Sequence, residues 1–138
     1  MYLEYSSSRR DNRVNQAPQL ELLKRTSVCI THAGLNTVLE SLAQGVPQVA
    51  IPITFEQPGV ATRIAAKKTG VTMPFEKLTS DHLATLLGEV LTNAVYRENA
   101  RKFQDIISKT NGLSMAADIV ERSFGVTKKA ADRYVQSV

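Results

Sequence analysis

The sequence predicts an α/β fold, a parallel sheet with flanking helices, and three observations carry that prediction. Short apolar runs alternate with stretches of helical periodicity. Each run is followed by a Gly or a Pro, and the stretches between runs are long enough to be crossover connections. The runs are continuous rather than alternating, which is the pattern of strands covered by helices on both faces.

Taken in order, residues 1–14 contain Ser6-Ser7-Ser8-Arg9-Arg10-Asp11-Asn12-Arg13 and read as a loose polar segment. Residues 15–125 form the domain, and residues 126–138 are a tail or a terminal helix. Pro18 opens a short helix whose buried side is Leu20, Leu22 and Leu23. Ser27 to Thr31 is the first strand and turns at Thr31-His32-Ala33-Gly34. The next helix keeps Val38, Leu39 and Leu42 inward and stops at Gly45, a left-handed cap. Gln48 to Ile51, between Pro47 and Pro52, is the second strand. Pro58 starts a helix with Val60, Ile64 and Ala65 inside, running to a stop at Gly70.

Val71 to Met73 is the third strand, cut off by Pro74. The remainder is helical. Thr79 or Ser80 caps a segment with Leu83, Leu86, Leu87, Val90 and Leu91 on one side. Asn93 caps another with Tyr96, Phe103, Ile106 and Ile107, which Asn111-Gly112 breaks. Leu113 to Phe124 makes the last helix.

Composition narrows the function classes. The chain has 138 residues, 43% hydrophobic and 22% charged, so one soluble domain with a true core is expected. Seventeen Lys and Arg against 13 Asp and Glu give +4, a basic excess that suits anionic small molecules, nucleic acid or an acidic membrane surface. With no Trp and few aromatics, a base-stacking platform for nucleic acid is not expected. The single Cys29 excludes an internal disulfide and fits a reducing compartment. No apolar run approaches the roughly 20 residues of a membrane span and no signal-peptide pattern opens the chain, so a cytoplasmic location is expected.

The chemistry concentrates between Gln16 and Gln57. A strand that turns at a Gly into a helix start brings unpaired N–H groups and a positive dipole end to one point, which is an anion site suited to a diphosphate. His32 lies at the strand end, where an imidazole can donate to a phosphate oxygen, although a lone His is more often structural. Gly34 lets backbone approach a ligand, although any tight turn can demand a Gly. Asn36 and Thr37 stand at the helix start as caps, as phosphate ligands, or as both. Glu40 follows Asn36 by one turn on the same face and suits a ribose diol, or simply a favourable first-turn acid. Glu56 and Gln57 close the loop after the second strand, a carboxylate beside an amide, which is a common way to hold sugar hydroxyls, although any exposed loop can carry that pair.

Together these residues resemble the donor-binding signature of the nucleotide-sugar glycosyltransferases with two facing Rossmann-like domains, the GT-B fold. The resemblance covers Ala17-Pro18-Gln19, Thr31-His32-Ala33-Gly34, Asn36-Thr37, Glu40, Gly45-Val46-Pro47, Pro52 and Glu56-Gln57, in family order and spacing. Gln57-Pro58-Gly59-Val60 leading into Ala61 and Arg63 looks most like the bacterial carotenoid and macrolide branch. The resemblance implies that Gln16, Ala17 and Gln19 flank the nucleobase and that Glu40 holds the ribose. It further implies that His32, Gly34, Asn36 and Thr37 meet the diphosphate and that Glu56 with Gln57 holds the hexose. Plant members carry a Trp where this chain has Gln16 and another where it has Leu35. A UDP-sugar, UDP-glucose first, is the implied donor, with TDP-sugars the alternative.

In such enzymes an acceptor hydroxyl attacks the anomeric carbon with inversion, and no metal or other cofactor is expected. The family's first half binds the acceptor and supplies the base. The expectation is therefore a Rossmann-like C-terminal half, truncated at its N-terminus, that is inactive alone and has no catalytic residue of its own beyond leaving-group stabilisation by His32, Asn36 and Thr37. Its partners are a nucleotide-sugar and the missing acceptor domain or a partner chain. A bare apolar edge would favour self-association, and the basic surface allows peripheral membrane contact. The alternatives are a sugar-nucleotide epimerase, which needs further cleft carboxylates, and a non-catalytic nucleotide- or partner-binding subunit of a split glycosyltransferase.

Overall fold

Three short runs pair in the computed structural model, which describes residues 17–124, and they do so as a parallel sheet in the order β1-β2-β3. The strands are β1 (Cys29–Thr31), β2 (Gln48–Ala50) and β3 (Gly70–Thr72). Ile30 lies opposite Val49, and Val49 opposite Val71. The helices are α1 (Gln19–Leu23), α2 (Leu35–Ala43), α3 (Gln57–Ala66), α4 (Ser80–Thr92), α5 (Ala94–Lys109) and α6 (Gly112–Ser123), with a 3₁₀ turn at Phe75–Lys77.

Alternation along β2 divides the core. Ala50 packs with Val38 and Leu42 of α2 and with Val60, Ala61 and Ile64 of α3. Val49 points to the other face, among Val90 of α4 and Tyr96 of α5. Helix α5 contributes Ala100 to the first cluster and Tyr96 to the second, so it joins both layers. The Tyr96 hydroxyl donates to the Glu89 carboxylate, and this bond, followed by burial, pushes the phenol up to about 12. Arg97 donates to the carbonyls of Ser27 and Gly45, and Gln104 to that of Ala43 at 3.3 Å, which fixes α5 against the amino end of the sheet.

Several expectations are corrected. In α1 only Leu23 is buried, and Leu20 and Leu22 are exposed. Strand β1 is not covered on both faces among the described residues: Ile30 is 49% exposed. Leu39, Leu91 and Ile106 also face outward. Gly45 is left-handed, with φ 65°, as a cap there requires. Gly70 does not stop α3. Lys68 takes the left-handed turn with φ 51°, and Gly70 opens β3, where a Cβ would lie 2.0 Å from the Gln48 carbonyl oxygen. The side chains of Thr79 and Asn93 cap α4 and α5. No residue of α6 is buried, and among the described residues no helix is long and apolar enough to cross a membrane.

Candidate functional site

The carboxyl end of β1 builds the site. Thr31, buried at the strand end, accepts the Ala33 N–H on its Oγ1 at 3.1 Å and so folds the chain sharply. The left-handed residue of this bend is Ala33, with φ 68°, not Gly34. Gly34 is extended, and a Cβ there would meet His32 Nε2 at 2.6 Å. The glycine therefore does not supply the turn, and a Cβ there would meet only the exposed imidazole, which can swing aside.

Helix α2 starts at once, with Gly34 as its N-cap and no side-chain cap. Neither Asn36 nor Thr37 caps it. The amides of Leu35, Asn36 and Thr37 have no hydrogen-bond partner among the described residues. A cleft of about 280 Å³ opens there, lined by His32, Gly34, Leu35, Asn36, Thr37 and Glu56. Among the described residues no Lys or Arg lines it, and what these residues offer an anion is amides, the helix dipole and His32.

Two hollows continue the cleft along α1. One, of about 510 Å³, is lined by Pro18, Gln19, Leu20, Glu21 and Glu40. The other, of about 440 Å³, includes Ala17, Gln19, Leu22, Cys29 and Thr37. Gln19 belongs to both: its amide donates to Glu40 Oε2 at 2.5 Å and to Thr37 Oγ1 at 3.3 Å. Gln19, expected beside a base, is joined here to Glu40, the residue expected at the ribose. Gln16 lies outside the described residues.

Glu56 reaches the cleft from the loop after β2, and its carboxylate has no ion pair or hydrogen bond among the described residues. Gln57 does not line the cleft. Its Oε1 accepts the N–H groups of Ile53 at 2.9 Å and Thr54 at 3.1 Å. Between them Phe55 is left-handed, with φ 54°, and 87% exposed. Sequence reasoning missed Thr31, Ala33 and Phe55, and only the Thr two residues before the Ala hinted at an ST-type turn. Among the described residues no group of three or more His, Cys, Asp or Glu lies together as a metal site would require.

The arrangement is thus a polar trough: free amides and an imidazole at its centre, one carboxylate to each side. Such a surface can hold a phosphate in the middle and accept hydrogen bonds from hydroxyl groups at both ends.

Comparison with known proteins gives this geometry a context. The profile of the UDP-glucoronosyl and UDP-glucosyl transferases matches residues 9–111. Zeaxanthin glucosyltransferase of Pantoea ananas is 35% identical over 120 residues, covering 86% of this chain and 27% of that protein. Among solved structures, the calicheamicin glycosyltransferase CalG4 superposes with a TM-score of 0.73 at 28% identity, covering 80% of this chain and 29% of that one. Os79 from O. sativa, solved in complex with UDP and deoxynivalenol-3-glucoside, gives 0.63 at 30% identity, over 67% and 23%. The chain spans about a quarter of the length of the curated relatives it matches.

Proposed function

The chain belongs to the UDP-glucoronosyl and UDP-glucosyl transferase family, and from that premise we propose that residues 15–125 bind the nucleotide-sugar donor of an inverting glycosyltransferase. The donor is a UDP-hexose, UDP-glucose first, and the acceptor is a hydroxyl of an apolar compound such as a carotenoid. The observation that carries the reading is the row of amides from Leu35 to Thr37, without partners among the described residues, opening into a cleft between Glu40 and Glu56. Support for the donor class comes from the family match and from Os79, which was solved with UDP.

In this reading the diphosphate rests on the α2 amides with His32, Asn36 and Thr37. Glu40, which accepts from Gln19 in this structure, turns to the ribose, with the Ala17 backbone beside the base. Glu56 accepts from hexose hydroxyls. The acceptor oxygen attacks the anomeric carbon from the far side, and the bond to the diphosphate oxygen breaks with its electron pair leaving on the phosphate. The amides and dipole meet that growing charge, so the proposal requires no metal. The proton goes to a base that polypeptide outside these 138 residues supplies, together with the acceptor pocket, so the chain alone does not turn over.

Titration of UDP, TDP and GDP into the chain, followed by amide chemical shifts, tests this. UDP is expected to move the resonances of Gly34 to Thr37 and to bind more tightly than TDP or GDP. Silence of those resonances with all three nucleotides would remove the donor site, and glucosyl transfer from UDP-glucose by the purified chain would overturn its dependence on a second domain.

A further inference from the structure

Resting on the donor-site reading above, we infer that Gln48, buried in the central strand, is a positioning residue: its side-chain amide holds the first turn of α2 in place beneath the diphosphate. Gln48 is 0% exposed. Its side chain leaves β2 on the same face as Ala50, toward α2 and α3, and its Nε2 donates to the Val38 carbonyl at 3.2 Å. Val38 is the residue at which the row of free amides ends: its own N–H donates to the Gly34 carbonyl at 3.1 Å, and the three amides before it have no partner among the described residues. The other side chains that bond to α2 from outside it, among the described residues, belong to helices, Gln19 of α1 and Gln104 of α5. Within α2, the buried Ser41 donates from Oγ to the Thr37 carbonyl at 2.8 Å. Two consecutive carbonyls at the base of the row are thus each held by a buried donor, one from the helix itself and one from the sheet.

Stability does not account for this amide. Its Oε1 is buried and has no hydrogen-bond partner among the described residues. Turning the group over would set that oxygen against the Val38 carbonyl, acceptor against acceptor. A buried acceptor left without a donor costs at least as much as one neutral hydrogen bond returns. An unbranched apolar side chain of the same length would fill the space with no orphaned atom, and the Val38 carbonyl would still be bonded within the helix. What the amide alone supplies is a directed tie from the first turn of α2 to a strand fixed on both sides, by Cys29 of β1 and Gly70 of β3. A helix held to the sheet by Val38 and Leu42 packing without that tie can slide or roll slightly, and the amides of Leu35, Asn36 and Thr37 move with it. Donors aimed at charge act through their placement, so such a shift is felt as lost affinity for phosphate.

The test uses the 138-residue chain with two substitutions at Gln48. Gln48→Met keeps the length and removes both the donor and the orphaned acceptor, while Gln48→Glu can donate to the Val38 carbonyl only as long as its carboxyl is protonated. The readouts are the urea midpoint, hydrogen exchange at the Val38 amide without ligand, and UDP affinity relative to the parent at the same pH. Gln48→Met is expected to keep a midpoint no lower than the parent's, to exchange at Val38 about fivefold faster through local opening, and to bind UDP about three- to tenfold more weakly. Gln48→Glu is expected to match the parent's affinity at about pH 5 and to lose it as the pH rises, because burial favours the neutral acid and the neutral acid is the form that donates. A lowered midpoint or a failure to fold in Gln48→Met overturns positioning in favour of a purely structural residue. Parental UDP affinity in Gln48→Met overturns it as well, and an affinity in Gln48→Glu that does not follow pH overturns the role of the donor. If UDP leaves Gly34 to Thr37 unmoved in the parent, the donor reading fails by itself. Exchange at Val38, which needs no ligand, still decides the anchor, and a parental rate in Gln48→Met overturns it.

Discussion

The two strand-to-helix turns at the carboxyl edge of the sheet solve one problem in opposite ways. Each places a residue other than glycine in the left-handed region, Ala33 at φ 68° and Phe55 at φ 54°. Each turn is also braced by a nearby side-chain oxygen that accepts loop N–H groups, Thr31 in the first and Gln57 in the second. Ala33, however, is fully buried in the cluster with Val38, Leu42 and Val60, whereas Phe55 stands in solvent. The first turn is held by the core and the second by its own hydrogen bonds. The first turn is thus a fixed floor and the second an adjustable lip, and the donor proposed above would span the two.

The contrast is broken most forcefully at Ala33. Ala33→Val puts a β-branched side chain into the left-handed region and two extra methyl groups into a packed core, for a loss of about 3 kcal/mol in chemical denaturation. Ala33→Gly removes the backbone strain and the buried methyl together, and it should change stability by less than about 1 kcal/mol. Equal tolerance of Val and Gly would mean that the core does not fix this turn.

The next effect in size concerns binding. His32→Ala and Glu40→Ala are each expected to weaken UDP by about 1–3 kcal/mol, the range for losing a hydrogen bond to a charged partner, with little change in stability because neither side chain is buried. Calorimetry on the two variants checks this. Unchanged affinity in both would move the nucleotide elsewhere and leave the fixed turn without a ligand.

The sheet was legible because its punctuation is steric: Pro47, Pro52 and Pro74 bound strands, and Pro58 lies in the first turn of α3. The glycines were harder to read. Propensity assigns a turn's positive φ to its glycine, yet neither Gly34 nor Gly70 takes it: the left-handed backbone falls on Ala33 and Lys68, and only at Gly70 does fixed backbone, the Gln48 carbonyl, leave no room for a Cβ. The types and spacing of His32, Asn36, Thr37, Glu40 and Glu56 were readable, since they follow from a helix start and a loop. That Gln19 donates to Glu40 was not, because the contact depends on how α1 settles against α2. The inward side expected of α1 failed for a related reason: Leu20 and Leu22 have helical spacing but no neighbour among the described residues to cover them.

The smallest effect sharpens the comparison by its sign. Phe55→Gly relieves the left-handed strain of about 1–2 kcal/mol and loses about 0.5–1 kcal/mol to the greater freedom of glycine in the unfolded chain. Since so little of Phe55 is buried, the net should be a stabilisation of about 0.5–1 kcal/mol, read as a higher denaturation midpoint at unchanged slope. The same substitution at Ala33 has a buried methyl to lose and shows no such gain. A Phe55→Gly chain that is less stable than the parent would mean that the ring packs on something at this lip, and the second turn would then be core-held like the first. A more stable one leaves the aromatic ring without a folding role, at the position next to the carboxylate proposed to meet the sugar.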